Sequence, residues 1–337
     1  MARVAVVGAT GAVGTAMRSI LEERDFPLGD LRLMASSRSA GREIETRWGT
    51  VRVEDLSLAD PSGIDIALFS AGGARSLEHA PRFAKAGATV IDNSSAFRMD
   101  ESVPLVVAQV NDHAIGDHRG IVANPNCTTM VLMMAAAPLH RAARLRRVVA
   151  TSYQSVSGSG QTGIQVLSHE IDILGKDPEA LVDGGWSDPG SGLYSRPIGY
   201  NVLAHAGSFV EAGYTDEEWK LVNETRKILE APDVAIEPTC VRVPVMVGHG
   251  IAATMTFDRD MDHREATDLL ASSAGVKLWD DTNVPTPLDS AGGDDVLVGR
   301  VRETIGEMGG ISLWVVGDNL RKGAALNAVQ LAELLIG

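Results

Sequence analysis

Cysteine is nearly absent from this chain, which has two thiols in 337 residues. That excludes a disulfide framework and points to a reducing compartment. Positive charge is also in short supply. Against 44 Asp and Glu stand 30 Lys and Arg, for a net charge of −14, the wrong sign for a surface that grips nucleic-acid phosphates. A few local Arg and Lys still suffice to hold a small anion on an acidic protein. Long apolar runs are missing: the longest, Met130 to Leu139, is far too short to span a bilayer. Met1-Ala2-Arg3 leads straight into a short apolar strand and a glycine loop, unlike a secretory signal. Histidine never takes HExxH spacing and never stands near a cysteine pair, so no metal site is expected. Repeats, charge blocks and low-complexity tracts are absent too. The expectation is a soluble, cytoplasmic protein with no membrane or nucleic-acid partner.

What is present is an ordinary globular composition, 45% hydrophobic and 22% charged, long enough for two domains. The first third alternates short apolar strands with helices. Residues 3–7, 31–35, 65–69, 88–92, 105–107 and 121–123 read as buried strands, and 13–23 and 74–85 as helices. This predicts an α/β fold with a doubly wound parallel sheet. Beyond Ala123 the texture changes. Longer, partly alternating strands at 148–156, 240–247, 251–257, 296–303 and 311–316 accompany helices at 162–174, 216–229 and 262–273. They predict an α+β domain on a mixed or antiparallel sheet. The Gly-, Ser- and Pro-rich stretch 183–200 reads as a long functional or interface loop. A final helix at 319–336 is placed back on the first domain. The expected domains are therefore 1–126 with 319–337, and 127–318.

Gly8-Ala9-Thr10-Gly11-Ala12-Val13-Gly14 follows the first strand and opens a helix. That is the setting of a dinucleotide loop, where glycines let backbone approach a pyrophosphate at a helix N-terminus. A tight turn without a ligand is the plain alternative, since the spacing departs from GxGxxG. After the second strand an NAD binder would carry Asp or Glu for the ribose 2′-hydroxyl. Here Ser36-Ser37-Arg38-Ser39 follows instead. Hydroxyls with a guanidinium suit a 2′-phosphate, hence NADP, unless Arg38 is simply a solvated loop charge.

Cys127 lies in Asn124-Pro125-Asn126-Cys127-Thr128-Thr129, directly before an apolar helix. A thiol in a first helical turn meets unpaired N–H groups and the positive end of the dipole, which favour a nucleophilic thiolate. A small buried hydrophobe is the alternative. Gly248-His249-Gly250 sets an imidazole between glycines just before a strand, free of crowding neighbours and suited to proton transfer from a cleft. Arg242 interrupts the apolar run Cys240-Val241-Arg242-Val243-Pro244-Val245. It either grips a carboxylate or makes a structural salt bridge. Arg98, in Ser94-Ser95-Ala96-Phe97-Arg98, follows a strand at the edge where such sheets bind ligands and is placed to hold a phosphate. Glu217 and Lys220 share a helical face and, taken alone, read as a solvated pair.

With these motifs in this order along essentially the whole chain, the sequence resembles the aspartate-β-semialdehyde dehydrogenases of bacterial type. The resemblance rests on the Gly8–Gly14 loop, Ser94–Arg98, Asn124–Thr129, Val241–Val245, Gly248–Gly250 and the terminal Asn319-Leu320-Arg321-Lys322-Gly323-Ala324-Ala325. It implies a Rossmann-type NADP domain plus a catalytic domain that also forms a homodimer. It further implies reductive dephosphorylation of L-aspartyl-4-phosphate to aspartate semialdehyde, toward lysine, diaminopimelate, threonine, methionine and isoleucine. Carried over by motif, Cys127 is the thioester nucleophile, His249 the acid/base, and Gln154 orients the acyl group. Arg242 takes the substrate α-carboxylate and Glu217 its α-amino group, while Arg98, Lys220 and Asn126 form the phosphate site. For NADP the match covers Gly8, Thr10, Gly11, Ala12, Val13, Ser36, Arg38, Ser39, Ser157, Gly158 and Asn319, with Ser70 and Gly72 bordering it. Competing readings are an N-acetyl-γ-glutamyl-phosphate reductase and a catalytically silent NADP-binding homologue. An N-acetylated substrate would give Glu217 no ammonium to meet.

Overall fold

The computed structural model describes residues 1–280, 282–306 and 309–337. Its elements are β1 (Ala2–Val7), α1 (Ala12–Glu23), β2 (Leu28–Ala35), β3 (Glu43–Thr46), β4 (Gly49–Asp55), β5 (Ile66–Phe69), α2 (Gly73–Lys85), β6 (Thr89–Asp92) and β7 (Ile121–Ala123). There follow α3 (Cys127–Ala143), β8 (Leu145–Gln154), α4 (Gly160–Leu174), α5 (Pro178–Asp183), α6 (Asp216–Ile228), β9 (Ala235–Arg242) and β10 (His249–Phe257). The chain ends with α7 (His263–Ala271), β11 (Val276–Leu278), α8 (Pro287–Ser290), β12 (Val296–Glu303), β13 (Ile311–Gly317) and α9 (Leu326–Ile336). Contacts divide it into one unit of Met1–Ala137, Asn223–Pro232 and Leu320–Gly337, and a second of Pro138–Val222 and Asp233–Asn319. The expected division lay at 126/127 and 318/319, without the segment 223–232. Among the described residues no helix is long and apolar enough to cross a membrane.

The first unit holds a seven-stranded sheet in the order β3-β4-β2-β1-β5-β6-β7. All neighbours pair in parallel except β3 with β4. From β4 to β7 this is the doubly wound order, reversing beside β1. Successive residues of β1 serve opposite faces, as the pleat requires. Val4 and Val6 join Met17, Ile20, Val329 and Leu331 in one core. Ala5 and Val7 join Phe69, Phe83 and Val90 in the other. Burial on both faces explains why these strands read as unbroken apolar runs.

One element here was not expected and one expectation fails, each for an identifiable reason. The β3–β4 hairpin is rich in Glu, Thr and Arg, and its few apolar residues, Ile44, Val51 and Val53, are too scattered to form an apolar run. Residues 105–107, expected as a strand, make a single bridge, Leu105 with Ala123. The side chain of Asn111 accepts from the Val107 N–H, and that of Asn327 from the neighbouring Ala108 N–H. Side-chain amides thus satisfy buried backbone that a ladder would otherwise pair.

The second unit carries a mixed six-stranded sheet, β11-β12-β13-β10-β8-β9. β8 and β9 run parallel, and β10 is antiparallel to both β8 and β13. The strand expected at 240–247 lies instead at Ala235–Arg242. Pro238 is tolerated because β9 is the edge strand, and the Cys240 N–H is met by the Glu218 carboxylate at 2.9 Å. The long loop is tied down by buried Glu170. One of its oxygens accepts from the Ile198 and Gly199 N–H groups at 2.6 and 2.8 Å, and the other from Ser191 Oγ. The terminal segment opens as a π-helical turn at Arg321–Ala325 before α9. There Lys322, almost wholly buried, bonds the Ala108 carbonyl and the side chains of Gln109 and Gln330.

Candidate active site

In the first unit the glycine loop joins β1 to α1 at the carboxyl edge of the parallel sheet. Gly8 has φ +84°, and a Cβ there would stand 2.1 Å from the Ser70 carbonyl oxygen. Only glycine fits such a left-handed, close-packed corner. A Cβ on Gly14 would come within 2.2 Å of the Gly8 oxygen, so the helix start is drawn tight against the loop. Gly11 caps α1 without a side-chain hydrogen bond, and no acid stands in the first turn. The open N–H groups and dipole end therefore suit a pyrophosphate. Thr10 Oγ1 bonds Ser39 Oγ at 3.3 Å, which brings the turn after β2 beside the loop. Arg38 in that turn is exposed. Ser70 directly follows β5, and Gly72, at φ +88°, caps α2. These residues fit a dinucleotide.

On the same unit Cys127 is the first residue of α3 and is half-buried. Asn126 caps that helix: its Oδ1 accepts from the Thr128 and Thr129 N–H groups at 2.9 and 3.2 Å. Its own N–H donates to the Glu224 carboxylate at 2.6 Å. Arg98 is buried, with its guanidinium donating to the Asn124 carbonyl (2.9 Å), the Asn93 carbonyl (3.0 Å) and Glu224 (2.9 Å).

In the second unit strand register gathers the remaining polar groups. Gln154 ends β8 and pairs with Arg242, which ends β9. β10, running the other way, starts at His249, and its Gly250 pairs with Tyr153. Three neighbouring strands therefore deliver Gln154, Arg242 and His249 to one edge of the sheet. Arg242 Nη1 donates to the Ser155 carbonyl at 2.7 Å, and its guanidinium lies over the Tyr194 ring at 6.0 Å. Gln154 Nε2 donates to Ser152 Oγ at 3.2 Å and to Glu217 Oε1 at 3.4 Å. Lys220 pairs with Asp216 (2.6 Å) and Glu217 (3.2 Å). Burial opposes its charge, but the two carboxylates outweigh burial and raise its pKa.

His249 is fully buried, not held out by uncrowded glycines as the sequence suggested. The glycines are instead demanded by crowding. Gly248, at φ +92°, abuts the Pro287 carbonyl, and a Cβ on Gly250 would strike the Trp314 ring at 2.3 Å. The Ser155 N–H donates to Nδ1 at 3.1 Å, with Ser155 Oγ equally close. Asn319 Oδ1 in turn binds Ser155 Oγ, Ser157 Oγ and the Gly248 N–H. Burial first, and the Arg242 charge second, push the imidazole pKa down to about 3. Gly158 faces both groups: a Cβ there would sit 3.0 Å from Arg242 Nη1 and 3.7 Å from His249 Nε2.

The semialdehyde dehydrogenase NAD-binding domain model matches residues 3–118, and the dimerisation-domain model of the same family matches residues 136–322. An aspartate-semialdehyde dehydrogenase of Streptomyces akiyoshiensis is 52% identical, over 99% of this chain and 98% of its own. The chain belongs to the aspartate-semialdehyde dehydrogenase family. The Corynebacterium glutamicum member is 50% identical over the full length of both chains. The crystal structure of aspartate semialdehyde dehydrogenase II from Vibrio cholerae complexed with ASA superposes with a TM-score of 0.93. It is 44% identical and covers 100% of this chain and 98% of that one.

Within the chain, the second unit brings together Gln154, Glu217, Lys220, Arg242 and His249, and sets Ser157, Gly158 and Asn319 around the histidine. The first unit joins Thr10 to Ser39 and, through Glu224, Arg98 to Asn126. Ser155, Asp216 and Glu224 are among the participants that carried no expectation. Glu224 follows Glu217 by seven residues, two helical turns. An acid at that spacing on an otherwise amphipathic helix was the available signal.

Proposed function

We propose that the chain catalyses NADPH-dependent reductive dephosphorylation of L-aspartyl-4-phosphate to L-aspartate 4-semialdehyde, reversibly, through a thioester on Cys127. The observation that carries the reading is the sheet edge where Gln154 stands beside Glu217 and in register with Arg242. An anionic and a cationic group at that edge match the α-ammonium and α-carboxylate of an amino-acid substrate. The names of the relatives support the same activity.

In this mechanism Cys127 attacks the acyl carbon, the bond to the phosphate oxygen breaks, and Arg98 and Lys220 balance the charge of the departing phosphate. Gly8, Thr10, Gly11, Ala12, Val13, Ser36, Arg38, Ser39, Ser70, Gly72, Ser157, Gly158 and Asn319 would hold NADPH, which when bound would supply the hydride for a thioester carbonyl. Release of aldehyde regenerates the thiolate. Gln154 orients the acyl group through its amide. His249 carries the proton, with Nε2 as its working edge, because the Ser155 N–H directed at Nδ1 favours the neutral tautomer protonated on Nε2. A substrate carboxylate on Arg242 would offset one of the two causes that hold the imidazole uncharged, tying its proton affinity to substrate binding. Homodimer formation through the dimerisation domain, cytoplasmic location and service to lysine, diaminopimelate, threonine, methionine and isoleucine synthesis belong to the same proposal.

The test is phosphate-dependent oxidation of aspartate semialdehyde with NADP, read from absorbance of the reduced cofactor. Turnover that vanishes in Cys127→Ala is expected. A folded wild-type protein without turnover, or a Cys127→Ala variant with unchanged rate, overturns the assignment.

A further inference from the structure

Glu224 is a carboxylate with 1% of its surface exposed, and a buried charge survives only when it is well partnered. Its two oxygens have separate tasks. Oε1 receives Arg98 Nη1 at 2.9 Å, and Oε2 receives the Asn126 N–H at 2.6 Å. Asn126 directly precedes the thiol and spends its own Oδ1 on the start of α3. Arg98 is held at three corners, by the carbonyl after β6, by the carbonyl after β7 and by Glu224. Three of its five N–H groups are so engaged, which leaves one on each terminal nitrogen to face an anion.

We propose that Glu224 is a positioning residue that registers the phosphate clamp to the thiol-bearing helix. One carboxylate fixes both the guanidinium of Arg98 and the peptide leading into Cys127, so neither shifts without the other. The inference rests on the functional reading above, in which Arg98 meets the phosphate and Cys127 attacks. A glutamine cannot replace it. Its amide oxygen serves only one of the two donors, and its NH₂ group then faces the other, donor against donor.

The experiment compares wild type with Glu224→Gln and Glu224→Asp in phosphate-dependent aspartate semialdehyde oxidation, varying inorganic phosphate. In parallel, the thermal midpoint of the cofactor-free protein is followed against phosphate concentration, a readout that needs no turnover. In Glu224→Gln the KM for phosphate rises about tenfold or more, as for loss of a hydrogen bond to a charged group, and the midpoint responds to phosphate at correspondingly higher concentration. The KM for NADP stays within about twofold, because the two effects are independent. In an Arg98→Lys background the same change adds less than about twofold, since Glu224 acts through Arg98. Glu224→Asp, too short to reach both donors, gives the same split if the glutamine variant fails to fold. An unchanged phosphate KM, or a fall in kcat alone that is additive with Arg98→Lys, refutes the role of Glu224. Absence of turnover in wild type refutes the functional reading instead.

Discussion

Acidification should destabilise this protein through His249 by a predictable amount. Burial and the Arg242 charge hold the folded imidazole at about 3, against 6.5 for a free histidine. The unfolded chain therefore binds the proton first as pH falls, and stability drains away below pH 6.5 until the folded pKa is reached. At about pH 5 the histidine alone costs about 2 kcal/mol, at 1.36 kcal/mol for each unit of pKa separation traversed. Replacing it by glutamine removes the titration and leaves the other ionisable groups in place. Urea unfolding of wild type and His249→Gln, at about pH 7.5 and about pH 5 and at one protein concentration, isolates the contribution as a difference of differences. Wild type should lose about 2 kcal/mol more than the variant over that interval. Parallel pH dependences would mean that the folded imidazole titrates as it does in the unfolded chain, and the mechanism would lose the burial that keeps its proton carrier uncharged.

Two further substitutions probe the ligand contacts. Arg38→Ala should raise the KM for NADP about tenfold while changing that for NAD little, as loss of a charge-assisted contact to a 2′-phosphate predicts; equal effects would refute the contact. Gly158→Ala places a methyl 3.0 Å from Arg242 Nη1, a nitrogen that the Ser155 carbonyl prevents from retreating. KM for aspartate semialdehyde should rise about tenfold with the thermal midpoint near that of wild type. An unaltered KM would show that substrate does not use the space between Arg242 and His249.

The first unit was legible where burial is symmetrical. β1, α1, β5, α2 and β6 lie within two residues of their expected bounds, because strands covered on both faces announce themselves as apolar runs. Legibility failed where side chains replaced the ladder, as at Leu105–Val107 beside Asn111 and Asn327. It failed again where an edge strand admitted a proline, at β9. The residues around them picked out Arg242 and His249 one at a time, and the family resemblance added Gln154; only strand pairing explains their common edge. Glu224 stayed hidden because a sequence shows a helical acid without showing that two buried donors require it.

That common edge has a consequence for how such a protein can change. Gln154, Arg242 and His249 ride on adjacent strands, whose separation the backbone fixes at about 4.8 Å. A slip of one residue in β8 or β9 would turn a side chain to the opposite face of the sheet, so small adjustments of spacing are not on offer. A descendant taking a longer or differently charged substrate must exchange what stands on these three rungs, or what leans over them from α6, and leave the rungs alone. The frame behaves as a socket of fixed pitch, and its specificity is a matter of the fittings.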